Sequence, residues 1–183
     1  MNISFSLNGR DIGLSANPME RLSDLLRDRL GVHSLMVDCG SGACGKCVVL
    51  LDQEAVPSCL VPAFRIRSRS VMTYEGFVET QAYALVIEHF LKSGVELCGF
   101  CDAATILAAG SLILKAQAIL ERESGRLGLG SGGQTETSEI SEREIVETMS
   151  SVYCRCTPPR LTLDAAKSAV ATVLGKGRGR AAR

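Results

Sequence analysis

Histidine is scarce in this 183-residue chain, with His33 and His89 the only two. Neither belongs to a recognisable Ser/His/Asp constellation, and no paired carboxylates mark an acid–base site. A phosphate-cradling Gly-Lys-Ser/Thr loop is also missing. The glycines of 128–133 lack the preceding strand and following apolar helix of a dinucleotide fingerprint. The chain is therefore expected to bind no substrate by itself. Net charge is absent, since 20 Lys and Arg balance 20 Asp and Glu. That excludes a molecule whose whole surface attracts nucleic acid. Met1-Asn2-Ile3-Ser4-Phe5-Ser6 is not a basic region followed by an apolar run, so no signal peptide is expected. Nor is there an unbroken apolar stretch of spanning length. Ala103 to Leu120 is interrupted by Gly110, Ser111, Lys115 and Gln117, and reads as a buried helix of a soluble protein rather than a membrane span.

Cysteine is what the chain has in excess. Eight cysteines without an export signal point to a reducing, cytoplasmic compartment, where thiols serve metals or catalysis more often than disulfides. The hydrophobic fraction of 46% is enough for a packed core, and the length suits one domain or two small ones.

Four of the cysteines, Cys39, Cys44, Cys47 and Cys59, have the spacing C-x4-C-x2-C-x11-C, the plant-type [2Fe–2S] pattern. Three thiolates so close in sequence must wrap one side of a small inorganic core through a tight, irregular loop. Gly40, Gly42 and Gly45 permit positive φ there, and their amides can point at sulfur and offset the charge of a cluster.

Around this loop the chain reads as a small α+β unit. Ile3, Phe5 and Leu7 alternate with polar residues, and Asn8-Gly9 signals a hairpin with a returning strand over 10–15. Leu22, Leu25, Leu26 and Leu30 predict a helix over 19–30, capped by Ser15 or Asn17 with Pro18 near its first position. Strands are expected over 46–52, 55–60 and 71–77. This order suits a β-grasp, ferredoxin-like domain over residues 1–77, a size that benefits from a metal staple. Beyond it the period changes to that of helices, over 78–174. Ser141 and Glu144 form a capping box, and Gly175 is expected to stop the last helix. Four helices suggest a bundle. A flexible insertion is expected over 124–140, and a basic disordered tail over 175–183. Arg65, Arg67 and Arg69 alternate as on one face of an extended segment. A solvated strand face is the plain reading; docking to an acidic partner patch is the functional one.

The other four cysteines are Cys98 and Cys101, just before a predicted helix, and Cys154 and Cys156 between the last two. Two cysteines one residue apart are poorly placed to bridge each other, yet both can ligate one centre from a turn. Helix N-termini near Cys101 and Cys156 favour thiolate over thiol. Eight cysteines thus divide into two tetrads. Several chemistries can use them. Structural zinc takes the same donors, although the first spacing lacks the paired C-x2-C halves of zinc ribbons. A thioredoxin-like reading of Cys98 and Cys101 leaves Cys154 and Cys156 unexplained. A Rieske centre needs two histidines, and His33 and His89 lie outside the cysteine loops.

Taken in order, Cys39…Cys44-Gly45-x-Cys47, Ser58-Cys59-Leu60, Thr73-x-Glu75-Gly76, Cys98-Gly99-Phe100-Cys101 and Cys154-Arg155-Cys156-Thr157 resemble the small iron–sulfur subunit of the molybdenum hydroxylases. That family comprises the xanthine dehydrogenase, aldehyde oxidoreductase and carbon monoxide dehydrogenase group. The resemblance implies a β-grasp domain and a four-helix domain, each holding one [2Fe–2S] cluster. It further implies an electron relay from a molybdopterin-binding large subunit toward an FAD-binding medium subunit. By position, Cys39, Cys44, Cys47 and Cys59 correspond to the FAD-side ligands. Cys98, Cys101, Cys154 and Cys156 correspond to the molybdenum-side ligands. The chain departs from the family pattern at Leu97 (usually Gln, a pterin contact), Asp102-Ala103-Ala104 (Thr-Pro-Gly), Thr157-Pro158-Pro159 (Thr-Gly-Tyr) and Asp38 (Gly). No pterin-binding residue is assigned. Two other classes compete: a stand-alone ferredoxin-like carrier and a zinc-stapled interaction module.

Overall fold

The computed structural model describes residues 1–126 and 139–180. Its first half is a five-stranded sheet of β1 (Asn2–Leu7), β2 (Arg10–Ser15), β3 (Val48–Leu51), β4 (Glu54–Pro57) and β5 (Ser70–Met72). The spatial order is β2-β1-β5-β3-β4. The β1–β2 hairpin turns at Asn8 and Gly9, both at positive φ, as Asn-Gly permits. β5 joins β1 in parallel, with Ser6 opposite Ser70, and pairs β3 antiparallel. One face of the sheet closes over α1 (Leu22–Asp24) and the wide π-type turn Leu25–Arg29 that continues it. Leu22, Leu25 and Leu26 are fully buried there with Ile3, Phe5, Ile66 and Val71.

This helix is shorter than its leucine spacing predicts. The backbone of 20–22 pairs with 61–63: the Leu22 amide donates to the Val61 carbonyl at 2.7 Å, and the Ala63 amide to the Glu20 carbonyl at 2.8 Å. Arg21 is held extended by this pairing, at φ −72° and ψ 141°, so the helix begins only at Leu22. Asn17 caps no helix either. Its Oδ1 accepts from the Met19 amide at 3.0 Å, closing a local turn. The predicted arginine face is absent for a related reason. Ala63–Ile66 coils into a 3₁₀ turn that buries Ala63 and Ile66, and Arg69 pairs with Asp52 at 3.1 Å. Arg65, Arg67 and Arg69 therefore share no strand face. The last expected strand also ends early, after Met72, because α2 (Tyr74–Phe77) turns Phe77 into the neighbouring core.

The second half contains α3 (Gln81–Lys92), α4 (Asp102–Arg126), α5 (Glu142–Ser150) and α6 (Pro159–Arg180). Ser141 caps α5, its side chain accepting from the Glu144 amide as the capping box predicts. α6 does not stop at Gly175 but runs to Arg180. Gly175 is not among the glycines at positive φ and so terminates nothing. Helix likewise persists through Arg126 in the stretch expected as a flexible insertion. Residues 127–138 of that stretch, and 181–183 of the expected disordered tail, lie outside the described residues. The Asp102–Arg122 segment is long and apolar enough to cross a membrane, with mean hydropathy 1.7, yet 61% of it is buried inside the protein.

The halves are joined by β3, whose four residues are all buried. Val49 and Leu51 point to the sheet–helix core, while Val48 and Leu50 point to the helical core around Ile106, Leu107 and Ile113. A strand buried on both faces reads as a continuous apolar run, as Val48-Val49-Leu50-Leu51 does. Nearby, α4 crosses Phe77 at Gly110, where a Cβ would lie 2.3 Å from Phe77 Cζ. Gly110→Ala is expected to destabilise the protein by about 1–2 kcal/mol, overpacking outweighing the better helix propensity. A urea midpoint equal to or above that of the parent would contradict this packing.

Candidate metal centres

The first cysteine loop is shaped by Gly40, Gly42 and Gly45, at φ of 63°, 79° and 66°. Their left-handed conformations turn the chain back so that the amides of Ser41 and Cys44 both approach Cys39 Sγ at 3.4 Å. Cys47 and Cys59 lie deeper, 2% and 3% exposed. Cys47 leads directly into β3, whereas Cys59 sits in the 3₁₀ turn Ser58–Leu60 that ends the strand predicted to reach residue 60. The fully buried Ser58 holds these segments together, its hydroxyl donating to the Cys47 carbonyl at 2.7 Å and its amide at 3.0 Å. Hydrogen bonds from Ser41, then from Cys44, pull the exposed Cys39 thiol down to about 6. Burial, then the neighbouring Cys47, pushes Cys59 up to about 11.

The second set comes from the turn preceding α4 and the turn between α5 and α6. The Cys98 and Cys101 sulfurs of this set lie within 4.8 Å of each other and of the Asp102 carboxylate. Thr157 ties the two turns together. It is 2% exposed, its hydroxyl donates to the Glu96 carbonyl at 2.7 Å, and its amide approaches Cys154 Sγ at 3.4 Å. Burial, reinforced by Cys154, pushes the Cys101 thiol up to about 12, so the nearby helix terminus does not make it acidic. Contact with Cys98 raises Cys156. At Cys154 burial acts upward, but hydrogen bonds led by the Thr157 amide leave the thiol lowered.

The two sets meet. The Tyr153 amide donates to the Cys44 carbonyl at 2.9 Å, linking a residue of the first set to the neighbour of Cys154. Gly45 makes that approach possible, because a Cβ there would lie 1.9 Å from the Ser151 carbonyl oxygen. Lys46 spans the same junction, with Nζ 2.5 Å from Asp38 and 4.8 Å from the centre of the Phe100 ring. The sequence expects all eight cysteines in two sets; among the described residues the Cys98 and Cys101 sulfurs lie within 4.8 Å of each other and of the Asp102 carboxylate, and the Cys44 amide reaches Cys39 Sγ. Sequence patterns assign no role to Ser58, Tyr153 or Thr157. Ser58 and Thr157 stand inside the quoted motifs, and a hydroxyl residue directly beside a cysteine is the signal the sequence carries; their burial appears only in the fold. His33 is exposed and His89 is buried, each outside the cysteine loops.

Two all-sulfur donor sets, with glycine-permitted loops and amides aimed at sulfur, fit thiolate-ligated [2Fe–2S] clusters. The comparisons agree. A family model described as a 2Fe-2S iron-sulfur cluster binding domain matches residues 5–69. A second, described as a [2Fe-2S] binding domain, matches residues 73–167. The chain is therefore an iron–sulfur protein with two [2Fe–2S] clusters. It is 29% identical over 157 residues to the nicotinate dehydrogenase small FeS subunit of Eubacterium barkeri, covering 86% of this chain and 87% of that one. To the xanthine dehydrogenase iron-sulfur-binding subunit of Escherichia coli O157:H7 it is 35% identical over 115 residues, covering 63% and 72%. Among solved structures, a chain of quinoline 2-oxidoreductase from Pseudomonas putida 86 superposes with TM-score 0.69 at 28% identity, covering 97% of each. This protein belongs to the small iron–sulfur subunits of the molybdenum hydroxylases, and is an electron-transfer subunit of an oxidoreductase complex.

Proposed function

We propose that this chain relays electrons from a molybdopterin-binding large subunit to an FAD-binding medium subunit of a cytoplasmic complex. In this reading Cys98, Cys101, Cys154 and Cys156 hold the cluster nearer the molybdopterin, in a helical domain beginning after residue 77. Cys39, Cys44, Cys47 and Cys59 hold the cluster nearer the flavin, in the domain over 1–77. Each cluster, when bound, takes up and returns one electron. The residues of the chain do the rest. The amides of Ser41, Cys44 and Thr157 offset negative charge at sulfur, and Ser58 and Thr157 fix the turns that carry the ligands. Cys44 and Tyr153 supply a short covalent and hydrogen-bonded route between the sets.

The observation that carries this reading is the 2.9 Å bond from the Tyr153 amide to the Cys44 carbonyl. Two independent carriers have no need to bring their ligand loops into backbone contact. The test is a complex purified through this chain and assayed for molybdenum and flavin. With Cys59→Ser in that complex, substrate is expected still to reduce the remaining cluster while flavin reduction is lost. Flavin reduced at the parental rate would reverse or break the proposed order. Recovery of the chain alone, without molybdenum or flavin, would favour a stand-alone carrier.

A further inference from the structure

Asp102 opens α4 directly after Cys101 and stands where the family pattern has threonine. Its carboxylate, Cys98 Sγ and Cys101 Sγ lie within 4.8 Å of one another. The Asp102 Oδ2 atom also accepts the Gly99 amide at 2.6 Å. Gly99 sits between Cys98 and Phe100 at φ 85°, in a turn whose amides would otherwise be free to face sulfur. Asp102 thus does two things at once. It places a negative charge beside two thiols of the second set, and it removes an N–H donor from their surroundings.

Both effects act in the same direction. A cluster gains negative charge on reduction, so a neighbouring carboxylate disfavours the reduced state, as does a lost amide donor. Beside the first set the corresponding carboxylate, Asp38, is paired with the Lys46 ammonium at 2.5 Å, and that ammonium also lies 4.8 Å from the centre of the Phe100 ring. We propose that Asp102 is a potential-setting residue that makes the cluster of Cys98, Cys101, Cys154 and Cys156 the more reducing of the two. This rests on the relay reading above and adds a cause for its direction: electrons leave the carboxylate-bearing site downhill toward the Cys39 set.

The experiment is a redox titration of the intact complex followed by electron paramagnetic resonance, comparing the parent with Asp102→Asn. Asparagine keeps the acceptor for the Gly99 amide and discards the charge. One of the two one-electron waves is expected to move upward by a tenfold or greater change in its reduction equilibrium, about 59 mV. The other wave stays in place. In a Cys59→Ser background, which lacks the first cluster, the surviving wave must be the one that moves. Two unmoved waves overturn the proposal, as does movement of the wrong one. If Asp102→Asn loses half its iron, Asp102→Thr decides. Retained iron with a raised potential supports a charge effect, and loss of iron in both variants overturns it by making Asp102 a ligand or scaffold. Failure of the relay reading is separately visible, because the chain would then purify without molybdenum and flavin, or Cys59→Ser would leave flavin reduction at the parental rate.

Discussion

Serine at Cys101 is expected to leave about two irons per chain in place of about four, with only one cluster signal surviving. Cys101 is 4% exposed, packs in the helical core, and shares its sulfur's surroundings with Cys154. A serine hydroxyl is shorter and harder to ionise than a thiol whose own pKa is already pushed up to about 12. It supplies neither the reach nor the anion that iron requires. Without its cluster, the turns before α4 and α6 keep only protein contacts such as the bond from the Thr157 hydroxyl to the Glu96 carbonyl. Transfer of electrons through the complex should fall by more than the 10–100-fold typical of losing an outer partner of a metal ligand. Iron content, the remaining resonance signal and flavin reduction check the three parts separately. A variant that keeps full iron and both signals would remove Cys101 from the ligand set.

Valine at Gly45 tests the junction instead of the ligands. Gly45 has φ 66°, a conformation that strains any β-branched residue, and its Cβ position is 1.9 Å from the Ser151 carbonyl oxygen and 2.9 Å from Val152 Cα. The obstacle is backbone, so no side-chain rotation relieves it. The loops must separate, and the Tyr153–Cys44 bond lies directly in that path. A destabilisation of about 3 kcal/mol or more is expected, which lowers the thermal midpoint by about 6–12 °C for a chain of this length. Both clusters should still assemble, since no ligand is touched, but the magnetic interaction between their reduced forms should weaken and transfer between them should slow. A midpoint within a degree of the parent would mean that the halves do not meet at Gly45.

Why some features were legible in the sequence and others were not has a physical basis. The two [2Fe–2S] domains were legible because thiolate chemistry constrains cysteine spacing, and the capping of α5 because Ser141 and Glu144 act within one turn. The β-grasp order was legible from hairpin chemistry and alternation at Ile3, Phe5 and Leu7. The start of the first helix was not, since it depends on pairing between 20–22 and 61–63, about forty residues apart in sequence, and neither was the 3₁₀ turn at Ala63–Ile66 that breaks the arginine alternation. Leucine periodicity cannot report such a partner. Gly175 misled for the opposite reason. Glycine permits a helix stop but does not impose one, and α6 runs through it. The roles of Gly45 and Gly110 were hidden too, because each is defined by a neighbour that only the fold brings near.

One chain should hold two [2Fe–2S] clusters close enough to exchange electrons. Metal analysis with electron paramagnetic resonance of anaerobically purified, stepwise-reduced protein tests it most directly. About four irons per chain and two distinguishable signals are expected, each broadened by the other on full reduction. Colourless, zinc-bearing protein with no reducible signal would contradict it.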